Sequence, residues 1–170
     1  MQTVILAGGL GTRISEESHL RPKPMIEIGG KPILWHIMKH YSIYGHTNFL
    51  ILCGYKGYLI KEYFCNFFRH NSDLTVDFSN GNIEIHKNSF DSWKVTMVDT
   101  GEYTQTGGRI LKSKPYLEDE FFLTYGDGVS DVNLDSLYER HRTSSNLVTL
   151  TGIRPRARYG SILFDDEHKI

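Results

Sequence analysis

Apolar runs of strand length alternate along this chain with segments whose apolar residues recur at helical spacing. Val4, Ile5, Leu6 and Ala7 form the first run, which opens into a long polar loop rich in Gly and Pro. Pro32 suits the first position of a helix, and Ile33, Leu34, Ile37, Met38, Tyr41 and Tyr44 then fall on one stripe that Gly45 ends as a cap. Residues 48–53 (NFLILC) read as a buried strand. Tyr55, Tyr58, Leu59, Tyr63, Phe64, Phe67 and Phe68 supply a second helical stripe, expected to serve core and subunit interface. Runs at 74–78, 83–86 and 93–98 are shorter and more polar, and predict a hairpin excursion at a sheet edge around an Asn80-Gly81 turn. A short helix over 106–117, a strand at 121–125, a helix capped by Asn133 and a strand at 147–153 complete the rhythm. The pattern closes on a strand at 161–164, a polar turn and the first residue of a return strand at Ile170, which reads as a chain cut short.

Such alternation predicts a single α/β domain over 1–170, with a mainly parallel sheet covered by helices and its ligands outside the carboxyl ends of the strands. Charge then narrows the partners: 19 Lys and Arg against 20 Asp and Glu leave a net charge of −1, so no global field favours nucleic acid or anionic lipid. Cys53 and Cys65 stand in apolar segments without metal-ligand spacing, which fits a reducing, cytoplasmic setting. The first residues lack a basic region before their apolar run, so they read as a strand and not a signal peptide. No run approaches the roughly 20 apolar residues that span a bilayer.

Gly8, Gly9 and Gly11 follow the first strand directly, where missing side chains let backbone N–H groups approach an anion. Alone they would equally mark a tight turn. A dinucleotide fingerprint is broken by Ile14 in place of its third glycine, which disfavours an oxidoreductase, and no Gly-Lys-Ser/Thr of a P-loop follows. Instead Thr12 offers a hydroxyl and Arg13 a bidentate fork within the same loop, so cradle and clamp arrive together. Lys23 stands between Pro22 and Pro24, each of which pushes its predecessor toward extended backbone. Asp127, between two glycines just past the strand at 121–125, sits at the expected ligand edge, where a carboxylate can share Mg²⁺ with substrate phosphates. Asp99 and Asp131 have ordinary roles open to them as a strand end and a helix cap, and His36 and His40 lack the Glu of a zinc helix.

LAGGLGTRISEES, the RPKP segment, CGYKGYLIKEYF, VTMVDTG, TGGR and TYGDGVSDVN together resemble the sugar-phosphate nucleotidyltransferases, and within them the branch that transfers cytidylyl groups to glucose 1-phosphate. The resemblance implies a three-layer Rossmann-like nucleotidyltransferase fold and an activity joining CTP and α-D-glucose 1-phosphate to CDP-glucose, with release of pyrophosphate. By the same resemblance Leu6, Ala7, Gly8, Gly9, Gly11, Thr12, Arg13, Lys23 and Arg109 meet the nucleotide, and Arg13, Lys23 and Asp127 carry catalysis. Gly126 and Gly160 face the sugar, Asp127 holds Mg²⁺, and the protein is a homo-oligomer. Family members continue into a Glu-Lys pair for the sugar and a second metal-binding aspartate, so the resemblance also admits a fragment that binds nucleotide without turnover. UTP or dTTP in place of CTP stays open, because nothing in spacing separates the bases.

Overall fold

The computed structural model describes residues 1–10, 20–86 and 91–153. The expectations at Gly11, Thr12, Arg13, Gly160, 161–164 and Ile170 lie outside them. The chain divides into two units, Met1–Asp131 and Val132–Ile170.

The first unit is organised by a sheet of four parallel strands in the order β7 (Lys94–Asp99), β4 (Asn48–Cys53), β1 (Gln2–Ala7) and β8 (Phe121–Tyr125). β1 (Gln2–Ala7) and β4 (Asn48–Cys53) lie at its centre in register Gln2 to Asn48, and all but Asn48 of their residues are buried, as strands covered on both faces require. On one face Val4, Leu6, Leu50 and Leu52 pack with Val98, Ile110, Leu117 and Phe121. The opposite face carries α1 (Ile33–Ile43), whose buried stripe is Leu34, Ile37, Met38 and Tyr41 and whose Tyr41 ring meets Phe122 edge-on at 5.7 Å. α1 is preceded by a two-residue hairpin between β2 (Glu27–Ile28) and β3 (Lys31–Pro32), in which Gly29 and Gly30 take φ of 60° and 75° that only glycine adopts freely.

β4 leads to α2 (Gly57–Asn71) and then to a small antiparallel pair, β5 (Leu74–Asp77) and β6 (Asn82–Ile85). The turn is longer than the two residues expected at Asn80-Gly81. The Asp77 carboxylate accepts from the Ser79 backbone and hydroxyl and from Asn80, and the Gly81 N–H returns to the Asp77 carbonyl. The third run of the expected excursion belongs elsewhere: β7 (Lys94–Asp99) is an edge strand of the main sheet, parallel to β4. The helix expected over 106–117 stops early, as α3 (Thr106–Lys112), followed by a 3-10 turn at Lys114–Tyr116, because Pro115 has no N–H to continue the ladder. β8 (Phe121–Tyr125) then pairs with the far side of β1.

In the second unit α4 (Leu134–Arg142) begins where Asn133 Oδ1 accepts the Ser136 N–H at 2.9 Å, as expected, and ends on Arg140, His141 and Arg142, which suit its negative end. The strand expected at 147–153 does not form. Leu147, Val148, Leu150 and Ile153 are exposed, and no strand among the described residues pairs with the segment, so its backbone gains no ladder. Among the described residues no helix is long and apolar enough to cross a membrane.

Leu50, fully buried on a central strand, measures this core. Leu50→Ala is expected to lower unfolding free energy by about 2–5 kcal/mol in urea titration; a loss below about 1 kcal/mol would contradict the assigned face.

Candidate active site

The chain order moves from β1 outward to β4 and β7, then crosses back to β8 on the other side of β1. At such a reversal neighbouring loops part and leave a crevice beyond the strand ends. The loops leaving β1 and β8 flank it, and they carry Gly8, Gly9, Gly126 and Asp127.

Gly126 explains how a distant segment reaches this crevice. A Cβ there would lie 3.0 Å from Pro24 Cγ and 3.1 Å from the Leu6 carbonyl, while the Gly126 N–H donates to that carbonyl at 2.9 Å. A glycine at the end of β8 thus lets the proline segment pack onto the strand ends. Lys23 does not sit in extended backbone as its prolines alone predict. It opens a 3-10 turn over Lys23–Met25, where the Met25 N–H reaches the Pro22 carbonyl at 2.8 Å and Pro24 and Met25 are buried. That turn and its burial outweigh the bias before proline. The result brings Lys23 Nζ to 3.8 Å from Asp127 Oδ2, with the lysine side chain mostly buried and the carboxylate half-exposed. Lys23 and Asp127, far apart in sequence, therefore face each other beside the glycine loop.

The other expected residues divide by depth. Gly9 is exposed, and a Cβ there would meet nothing within 4 Å. The Leu6 and Ala7 side chains belong to the core, so these residues reach the crevice by backbone alone. Gly126 is itself buried. Arg109 lies behind the glycine loop, only 5% exposed. Its Nη2 donates to the Gly8 carbonyl at 2.8 Å and the Glu102 carbonyl at 3.0 Å; its Nη1 donates to the Gly101 carbonyl, Thr100 Oγ1 and the Cys53 carbonyl at 2.7, 2.7 and 3.2 Å. Burial pushes the guanidinium below its ordinary pKa, opposed by Asp99. Asp99 ends β7 and accepts the Gly101 N–H at 2.9 Å, the ordinary role left open for it. His36 is equally ordinary, its Nε2 bonded to the Ile28 carbonyl at 2.9 Å.

Sequence reasoning passed over the loop from β4 to α2. There Lys56 holds a left-handed φ of 48°, and a cavity of about 370 Å³ is lined by Tyr55, Lys56, Tyr58, Lys61, Asp99 and Glu102. The rule that ligands gather at carboxyl strand ends points there, but the charges are mixed, and the CGYKGYLIKEYF segment that spans the loop entered the resemblance without any site residue assigned in it.

Comparison with protein families matches residues 2–170 to the nucleotidyl transferase family. The chain belongs to that family. It is 51% identical over 164 residues to the glucose-1-phosphate cytidylyltransferase of Salmonella typhimurium and 48% identical over 168 residues to a probable glucose-1-phosphate cytidylyltransferase of Bacillus subtilis. These alignments cover 95% and 98% of this chain, which spans 64% and 65% of the relatives' length. Among solved structures, HddC from Yersinia pseudotuberculosis, complexed with GMP-PN, superposes with a TM-score of 0.57 at 29% identity, covering 82% of this chain and 53% of its own. A UDP-glucose pyrophosphorylase complexed with UDP-glucose shares the fold at 17% identity, with a TM-score of 0.58 over 83% of this chain and 54% of its own.

Cys53 reports on how dry the strand ends are. Burial pushes its thiol from 9.0 up to about 11, against the pull of Lys61 and Arg109. The folded protein then keeps a proton that the unfolded chain loses, so the thiol's contribution to stability is complete below pH 9 and lost as pH rises toward 11. Urea titrations across that range are expected to show a loss on the order of 2 kcal/mol more in wild type than in Cys53→Ala. Equal slopes in the two proteins would contradict a buried neutral thiol.

Proposed function

We propose that this chain supplies the nucleotide-binding part of an enzyme that transfers a cytidylyl group from CTP to α-D-glucose 1-phosphate, giving CDP-glucose and pyrophosphate. The observation that carries the reading is the Lys23–Asp127 pair, at 3.8 Å, beside Gly8 and Gly9 at the point where the sheet reverses. The similarity to glucose-1-phosphate cytidylyltransferases supports the choice of base and sugar.

The chemistry asks little of the protein beyond charge and position. A phosphate oxygen of the sugar phosphate, already anionic, attacks the α-phosphorus of the nucleotide; a new P–O bond forms as the bond to the β-phosphate oxygen breaks, and pyrophosphate leaves. No group must take a proton from the nucleophile. Lys23 is held by its turn and by burial of Pro24 where negative charge gathers on the reacting phosphates, and a fixed cation there lowers the barrier without reorganising. The backbone after β1 approaches the triphosphate where Gly9 leaves open space. Thr12 and Arg13 are assigned to the departing pyrophosphate.

Magnesium is the cofactor this reading expects. Among the described residues no group of three or more His, Cys, Asp or Glu side chains converges, so no all-protein cage exists there. Asp127, a single half-exposed carboxylate, fits an ion that takes one or two carboxylates and draws its other ligands from phosphates and water. When bound, the ion would supply charge neutralisation at the phosphates.

Incubation of the chain with CTP, glucose 1-phosphate and Mg²⁺ is expected to release pyrophosphate. Lys23→Ala is expected to slow release by at least about 10²-fold while moving the thermal midpoint by no more than a few degrees. Binding of CTP in calorimetry without release would support the nucleotide half-site alone; release from UTP or dTTP in preference to CTP would reassign the base; wild-type turnover in Lys23→Ala would overturn the mechanism.

A further inference from the structure

Arg109 poses a problem of charge. It is 5% exposed, yet among the described residues it forms no ion pair with a carboxylate. A buried cation persists only where hydrogen bonds replace its water, and here five oxygens do so. Their positions are what matter. Gly8 leaves β1, Cys53 ends β4, and Thr100, Gly101 and Glu102 follow β7, so one planar group ties together the carboxyl ends of three parallel strands. Thr100 completes the arrangement: its hydroxyl donates to the Cys53 carbonyl at 2.7 Å while accepting from Arg109.

The glycines record the same constraint. A Cβ on Gly8 or on Gly54 would overlap the guanidinium of Arg109, and on Gly54 it would also come within 2.6 Å of the Gly8 carbonyl. At Gly9 it would meet nothing. The first glycine of the loop is therefore glycine because of the arginine packed behind it, whereas the open space stands at the second. The Gly8 carbonyl also accepts the Tyr55 N–H at 3.2 Å, so its peptide is held from two sides.

We propose that Arg109 is a positioning residue for the nucleotide site, acting through the Gly8 peptide: it fixes the orientation in which the following backbone meets the triphosphate. This rests on the functional reading above. Lysine cannot take its place, because one ammonium point with three donors does not span acceptors fanned over three strand ends.

The test reads two quantities on the same proteins: the CTP dissociation constant by calorimetry, and the hydrogen-exchange rate of the Tyr55 amide without ligand. Arg109→Lys and Arg109→Ala are each expected to weaken CTP binding by at least about tenfold, on the scale of a lost charge-assisted hydrogen bond, and to speed Tyr55 exchange. Gly54→Ala, whose Cβ would meet both the guanidinium and the Gly8 carbonyl that it holds, is expected to do both, and combined with Arg109→Ala to cost less than the two single effects together. Should Arg109→Ala fail to fold, Arg109→Lys and Gly54→Ala carry the test. Unchanged CTP affinity in the folded variants would overturn the proposal in favour of a purely structural role. Weakened binding with Tyr55 exchange unchanged would overturn it in favour of direct contact with the nucleotide. A wild-type chain that binds none of CTP, UTP and dTTP fails before any variant is made; that result defeats the functional reading and the proposal with it.

Discussion

Parallel strands deliver their last carbonyls to one edge of a sheet, and where no strand continues, those oxygens must find donors or remain wet. In this chain the ends of β1, β4 and β7 find them in one buried guanidinium. The cost of burying a cation is offset because both terminal nitrogens of Arg109 donate to oxygens, five in all, and charge-assisted bonds of this kind are about twice as strong as neutral ones. Much of the local sequence follows from that single placement. Gly8 and Gly54 lack side chains because the guanidinium occupies the space a Cβ would need. Thr100 has a hydroxyl because its position must both accept and donate.

On the other side of β1 a second close approach does comparable work by packing instead of charge. Gly126 admits Pro24, Pro24 carries Lys23, and Lys23 comes to stand opposite Asp127. The crevice is thus built from two halves that share β1. Arg109 sets the backbone on the β4 side, and the proline turn brings the charges on the β8 side. Neither half uses a side chain from the interior of the sheet, whose strands serve as the rigid frame.

The central strands were legible because burial on both faces writes an uninterrupted apolar run, as in ILA and FLILC. α1 was legible from its stripe, and the crevice from motifs that cluster after strands. What escaped the sequence was decided by partners distant along the chain. The run ending in Asp99 is polar enough to pass for part of a hairpin, and only its register with Asn48–Cys53 reveals an edge strand of the main sheet. Residues 147–153 have the composition of a strand and nothing described to pair with. Arg109 was singled out only through its TGGR motif. Spacing gave no sign that its charge would turn inward, because its acceptors are backbone carbonyls that no side-chain pattern encodes. Gly8 was read as an opening for phosphate, and its packing against Arg109 depends on a contact more than a hundred residues away.

The most direct test of a nucleotide site at the β1–β8 reversal is a crystal structure of the chain grown with CTP and Mg²⁺. The account predicts density for the triphosphate between Gly9 and Lys23, within reach of Asp127, with the Arg109 guanidinium still on the Gly8 carbonyl. A nucleotide seated instead in the cavity between Tyr55, Lys61 and Glu102, with the Lys23–Asp127 crevice empty, would contradict it.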